Sequence, residues 1–314
     1  MPEASEILVL GAGELGMAVL RGLVARGATP SVLLRPSTID SRDPAKARDV
    51  EALRSLGVSP LPGDLAEASE TELADVFREF DTVIGCTGFS AGRGVQIKLA
   101  RAALIAEVGR YVPWQFGVDY DAIGRGGAQD LFDEQLDVRD LLRTQSRVEW
   151  IIISTGMFTS FLFDPSFGVV DLENNTVRAL GSWDNAVTVT TPEDIGTLTA
   201  EILFAKPRIA NQVVFTAGDT ISYGRLADVV DSTLGRKVSR VVWSLPELRE
   251  ELARDPDNSL KKYRVVFAEG RGVSWGKDRA FNAKRGINVM DVEQWLRASL
   301  SRPPEPAPPL PGAG

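Results

Sequence analysis

Along the first half of the chain, short apolar runs rich in β-branched residues alternate with longer segments whose apolar positions return every three to four residues. Ile7 to Leu10, Ser31 to Leu34, Val58 to Leu61, Thr82 to Cys86, Arg110 to Pro113 and Val148 to Ser154 predict six strands buried on both faces. Between them, Leu15 to Arg26, Ala45 to Leu56, Thr71 to Phe80, Val95 to Val108 and Ala128 to Thr144 carry helical periodicity. Parallel neighbours need a crossover long enough to hold a helix. The alternation therefore predicts the α/β class, a Rossmann-type doubly wound parallel sheet.

After Ser154 the rhythm changes. Aromatic-rich loops and short strands (Met157 to Val170, Thr176 to Leu180, Ala186 to Val189) lead to a helix from Pro192 to about Phe204. A strand at Gln212 to Thr216 follows, with helices near Arg225 to Thr233 and Asp291 to Ser299. These pieces predict a smaller lobe packed on the strand ends: 1–155 as a nucleotide domain, 156–301 as mainly a substrate lobe. Residues 302–314 hold six of the eighteen prolines and predict an extended, disordered tail.

Composition narrows the chemistry. The 314 residues include one cysteine, Cys86, and no histidine. That excludes Ser-His-Asp and Cys-His nucleophile systems, His-ligated metals and Cys-pair zinc sites, so no metal is expected. A net charge of -8 argues against nucleic acid or an anionic membrane surface as partner and favours a small molecule; a homo-oligomer is left open. Met1 to Glu6 lacks a basic, apolar leader and no run is long enough to span a bilayer, which predicts a cytoplasmic protein with Cys86 as a reduced thiol.

The strongest motif is Gly11-Ala12-Gly13-Glu14-Leu15-Gly16, a G-x-G-x-x-G between the first strand and the first helix. The first glycine permits a tight turn, the second lets backbone approach a pyrophosphate and the third lets helix and sheet pack closely. The second strand ends in Arg35, followed by Ser37 and Thr38, where an acidic residue would hold the ribose hydroxyl of NAD. An arginine fork suits a 2′-phosphate, so NADP(H) is the predicted cofactor, with Lys46 a candidate for the same phosphate. Asp64 and the run Cys86-Thr87-Gly88-Phe89 follow the third and fourth strands, at the carboxyl ends where adenine and ribose would lie. Gly88 to Gly92 also fits G-x-S-x-G, but with no histidine Ser90 lacks a base, leaving a cofactor loop. Met157 and Phe158 follow the sixth strand on the expected nicotinamide side, and Phe158, Phe161, Phe163 and Phe167 could line a pocket for a flat aromatic substrate.

Taken together, these residues resemble the atypical short-chain reductases that include phenylcoumaran benzylic ether, pinoresinol-lariciresinol and isoflavone reductases, related to the NmrA-like proteins. The resemblance runs through the glycine motif, Arg35-Pro-Ser-Thr38, Asp43-Pro-Ala-Lys46, Ser55-Leu-Gly-Val58, Gly63-Asp-Leu65 and Asp81-Thr-Val-Ile84. It continues through Arg110-Tyr-Val-Pro113, Phe116-Gly117, Arg139 and Glu193-Asp-Ile-Gly196. It implies an NADPH-binding domain with a substrate lobe, and hydride transfer to an electrophilic benzylic or conjugated carbon of an aromatic metabolite.

Two departures stand out. The resembled reductases carry a lysine where this chain has Gln135, and their Pro-Ser-Glu-Phe-Gly is Pro113-Trp114-Gln115-Phe116-Gly117, which puts Gln115 and Phe116 among the cofactor-side candidates. Helical spacing sets Gln135 on or beside the apolar stripe, as a buried amide or as a group that orients substrate. No tyrosine has lysine four residues on; Tyr120, after the fifth strand, is the remaining phenol that could donate to an oxyanion, or it packs as a loop residue. Two further readings stay open beside the reductase: a non-catalytic NADP(H) sensor of the NmrA-like kind acting through a protein partner, and an isomerase or epimerase.

Overall fold

A computed structural model describes residues 6–301. The predicted tail at 302–314 and residues 1–5 lie outside the described residues. Strands β1 (Ile7–Leu10), β2 (Ser31–Leu34), β3 (Ser59–Pro62), β4 (Thr82–Gly85), β5 (Arg110–Val112) and β6 (Glu149–Ser154) fall within a residue of the predicted spans. They alternate with helices α1 (Glu14–Ala25), α2 (Pro36–Ile39), α3 (Pro44–Ser55), α4 (Glu70–Phe77), α5 (Val95–Ala106), α6 (Tyr120–Ile123) and α7 (Leu131–Arg143). The second half contains β7 (Met157–Phe158), β8 (Val170–Asp171), β9 (Thr176–Leu180), β10 (Ala186–Thr190), α8 (Pro192–Leu203), β11 (Gln212–Phe215), β12 (Asp219–Ser222) and α9 (Tyr223–Leu234). It ends with β13 (Ser239–Trp243), α10 (Leu245–Arg254), α11 (Ser259–Glu269), α12 (Phe281–Arg285) and α13 (Val292–Ser301).

The central sheet runs β11-β6-β5-β4-β1-β2-β3, all parallel. The order reverses between β1 and β4, which opens a crevice at their carboxyl ends. Apolar side chains of one sheet face pack on α1, α3 and α8 through Val9, Leu20, Val50 and Ile195, and those of the other on α4, α5 and α7 through Leu8, Phe77, Leu99 and Val138. The strand at 212–215 extends the nucleotide sheet by pairing with β6, and α8 lies against α1, so this part of the second half returns to the first layer. The approach of α8 is close: a Cβ on Gly196 would stand 2.1 Å from the Ala18 carbonyl oxygen, and one on Gly22 would stand 2.3 Å from that of Gly196. The second lobe has its own core, with Phe167, Val187, Tyr223 and Val266, and two three-stranded sheets.

At the outer edge, the Ser59 and Gly63 amides donate inward to Pro30 and Leu34. Strand alternation therefore turns residues 60 and 62 outward, and both are proline.

Candidate functional site

The chain leaves β1 through Gly11, whose φ of +94° lies where side chains are rarely tolerated. A Cβ on Gly11 would meet Thr87 Oγ1 at 2.3 Å, and one on Gly16 would meet the Gly11 carbonyl oxygen at 2.1 Å. Thr87 is fixed in turn, its hydroxyl donating to the Leu10 carbonyl at 2.9 Å and its carbonyl accepting from the Gln96 amide at 2.9 Å. Gly13 is the N-cap of α1, faces open space and supplies no side-chain cap. The first amides of α1, including those of Glu14 and Leu15, therefore stay available to an anion at the positive end of the helix. This cradle fits the pyrophosphate of a dinucleotide.

Arg35 caps α2 and its exposed side chain stands 3.7 Å from the Asp64 carboxylate. Asp64 accepts from the Ala66 and Glu67 amides, and those bonds, with Arg35 nearby, hold its carboxyl below the usual range. Ser37 and Thr38 share the short helix with Arg35, and Lys46 is exposed at the start of the adjoining α3. The predicted 2′-phosphate residues thus lie on neighbouring elements, α2 and the start of α3, with Asp64 as the acidic neighbour of the exposed Arg35 guanidinium.

A cavity of about 540 Å³ opens on the other side, a size suited to a small ligand. Glu14 of α1, Phe89 after β4, Trp114 and Phe116 after β5, and Met157 and Phe158 after β6 form its nucleotide-domain wall. Phe132 of α7, Phe161, and Tyr263 and Phe267 of α11 close it from the lobe side. Gly88 is required here, because a Cβ would stand 2.7 Å from the Trp114 ring, which Phe89 meets edge-on at 4.7 Å. Of the predicted aromatic cluster, Phe158 and Phe161 line the cavity. Phe167 instead lies fully buried behind Phe161, stacked at 4.5 Å, and Phe163 stacks on Trp295 at 4.8 Å. A larger hollow of about 670 Å³, lined by Glu6, Ile7 and Phe80 among others, sits at the amino ends of the strands, away from the crevice.

Tyr120 lines the cavity, with its ring edge-on to Phe132 at 4.9 Å and the Arg139 guanidinium 5.2 Å from its centroid. Burial pushes its phenol well above the ordinary range, so it stays protonated. Gln135, the other residue of the predicted catalytic pair, is fully buried, is absent from the cavity wall, and neither its amide nitrogen nor its oxygen has a protein partner. Gln115, expected on the cofactor side, is also sealed. Its Nε2 donates to the Gln135 carbonyl at 2.8 Å and its Oε1 accepts from Arg139 Nε at 2.6 Å. Arg139, fully buried, donates further to Asp121 at 2.7 Å and to Ser154 Oγ at 3.4 Å. Bonds from Arg143, then the Arg139 charge, pull the Asp121 carboxyl down to about 2. Asp119 caps α6. Gln115 and Asp121 thus brace the β5 loop through one buried arginine.

A family model described as the NmrA-like family matches residues 3–296. The chain belongs to the NmrA-like family. This NmrA-like chain is 48% identical over 299 residues to an NmrA-like family domain-containing oxidoreductase of Gibberella moniliformis, covering 94% of this chain and 98% of that one. It is 26% identical over 278 residues to phenylcoumaran benzylic ether reductase TP7 of Nicotiana tabacum, covering 85% and 86%. Among solved structures, the leucoanthocyanidin reductase–NADPH binary complex from Vitis vinifera superposes with a TM-score of 0.80 at 20% identity, over 95% of this chain and 100% of that one, a shared fold.

Trp114, Phe132, Tyr263 and Phe267 are cavity residues that the sequence did not single out for the NmrA-like chain's site. Phe132, Tyr263 and Phe267 lie on amphipathic helices, where an aromatic at helical spacing is indistinguishable from core. Helix α10 also escaped the sequence reading, although Ser244-Leu-Pro-Glu247 is a capping box with proline in the first turn. Among the described residues no helix is long and apolar enough to cross a membrane, and no cluster of three potential metal ligands occurs.

Proposed function

We propose that the chain is an NADPH-dependent reductase that delivers hydride to an electrophilic benzylic or conjugated carbon of an aromatic small molecule. The observation that carries this reading is that one apolar cavity is bounded both by the N-terminus of α1, at the phosphate cradle, and by aromatics of the second lobe. A substrate there would lie beside the ring end of a dinucleotide whose phosphates rest on the glycine turn. Gly11, Gly13 and Gly16 would hold the pyrophosphate, and Arg35, Ser37 and Thr38 the 2′-phosphate. When bound, NADPH supplies a hydride donor. The protein contributes a dry aromatic pocket, a fixed orientation and a rigid loop braced by Arg139. The relatives, an oxidoreductase and a benzylic ether reductase, support the same class.

A second reading, a cofactor sensor acting through a protein partner, is favoured by one observation: at the position of the expected lysine the chain has Gln135, sealed from the cavity. The test separates the two. NADP+ and NADPH are titrated by fluorescence, then NADPH absorbance is followed with a panel of aromatic enones, quinones, benzylic ethers and iminium ions. Turnover of any of them is the result expected for a reductase; tight binding with none turned over assigns the sensor.

A further inference from the structure

The cavity has a charge character that a reductase for neutral aromatics does not need. Nine of its lining residues are aromatic, and its charged side chains are two carboxylates, Glu14 and Asp164. No lysine or arginine lines it, and the chain has no histidine. Asp164 accepts from the amide and hydroxyl of Ser166 at 2.7 and 2.6 Å, both through Oδ1. Glu14 faces a second acid: burial first and Glu193 second raise its carboxyl above the usual range.

Cations close to the cavity are engaged elsewhere. Lys262 and Arg264 flank the lining residue Tyr263, but Lys262 holds Asp130 at 2.6 Å and Arg264 donates to the carbonyls of Phe167 and Ser166 at 3.0 and 2.8 Å. Arg139 lies behind the Tyr120 ring, paired with Asp121. The wall therefore presents aromatic faces and two carboxylates that no lysine or arginine among the described residues pairs with, the combination that attracts an organic cation.

We propose that the occupant of this cavity is a planar aromatic cation and that the group reduced there is an iminium, a C=N+ attached to or conjugated with an aromatic ring. The second half rests on the reductase reading above; the first does not. The chemistry balances without a proton donor. The iminium carbon gains a C–H bond from the hydride pair, the C=N π pair passes to nitrogen, and the products are a neutral amine and NADP+. A carbonyl or quinone would also need a proton at oxygen, and the phenols here are poor donors: burial raises Tyr120 strongly and Tyr263 to about 12. The sealed Gln135 is then no deficit, because the step asks for no acid.

The test has two arms. Without cofactor, calorimetric titration compares N-methylquinolinium with the similarly shaped quinoline, held neutral, and 1-naphthoate. The cation is expected to bind about tenfold or more tighter than either. In the Glu14→Gln, Asp164→Asn double variant, checked for unchanged thermal unfolding, that selectivity ratio is expected to fall about tenfold, with Glu14→Gln alone moving it the same way. Equal or tighter binding of the neutral or anionic probe, or an unmoved ratio, overturns the cation site.

With NADPH, oxidation is followed with N-methyl-3,4-dihydroisoquinolinium and with an aromatic enone. Preference for the iminium supports the proposal. Oxidation with the enone alone keeps the reductase reading and overturns the iminium. Cation preference with oxidation by neither supports the site and overturns the reduction.

Discussion

Substituting Gln135 by methionine tests whether its buried amide does anything. The side chain has no solvent exposure and neither polar atom has a protein partner. A buried donor or acceptor left unsatisfied costs roughly 1–3 kcal/mol. Methionine keeps the length and approximate volume, its flexible thioether adapts to an irregular site, and reshaping of this kind costs up to about 1.5 kcal/mol. The bond from Gln115 goes to the main-chain carbonyl of residue 135 and survives the change. Gln135→Met is therefore expected to stabilise the fold by about 1 kcal/mol, seen as a rise of about 2 °C in Tm for a chain of this size. Turnover should be unchanged. Thermal unfolding with and without NADPH, together with steady-state kinetics, measures both. A loss of more than about 1 kcal/mol, or a fall in kcat at constant KM, would refute the reasoning, because the amide would then have a partner in the working protein.

Other substitutions probe the remaining parts. Arg35→Ala is expected to weaken NADPH about tenfold, roughly 1.4 kcal/mol, with NADH barely affected; equal losses for both in a fluorescence titration would remove Arg35 from the 2′-phosphate. Asp121→Asn leaves the buried Arg139 with only the more distant Asp119 carboxylate, at 4.0 Å, and because Asp121 is 37% exposed it should cost about 1–2 kcal/mol in urea unfolding. The folded carboxyl sits at about 2, below the unfolded value near 3.9, so its stabilisation is full above about pH 4 and fades as pH falls toward 2. The wild-type acid curve should be steeper across that window than the variant's. Gly196→Ala should cost about 2–3 kcal/mol in thermal unfolding and lower NADPH affinity as well, because α8 must move off the helix whose N-terminus forms the cradle; loss of neither would contradict the close crossing.

The nucleotide half was legible because its signals are local. Val83 and Ile84, or Ile151 and Ile152, are buried on both sheet faces and so read as unbroken apolar runs. The Gly11 turn is dictated within six residues. What escaped depends on distant partners. Gln212 to Phe215 reads as a strand, but that it joins β6 rather than the lobe is fixed by tertiary pairing. Gln135 was read on or beside the apolar stripe and is buried, yet that Tyr120 and Phe132 line the cavity while Gln135 does not is decided by tertiary packing. Tyr263 and Phe267 approach Trp114 only after the lobe folds back, and Glu14 shows its second environment only then.

The prolines at 60 and 62 give the sheet a direction in which it refuses to grow. An incoming strand would find carbonyls there but no amide hydrogens, so half of the pairing register is missing before contact is made. Any contact made at this edge must then be written in side chains rather than in backbone pairing. On this side the row of parallel strands can be buried and sticky in sequence without serving as a template for its own copies.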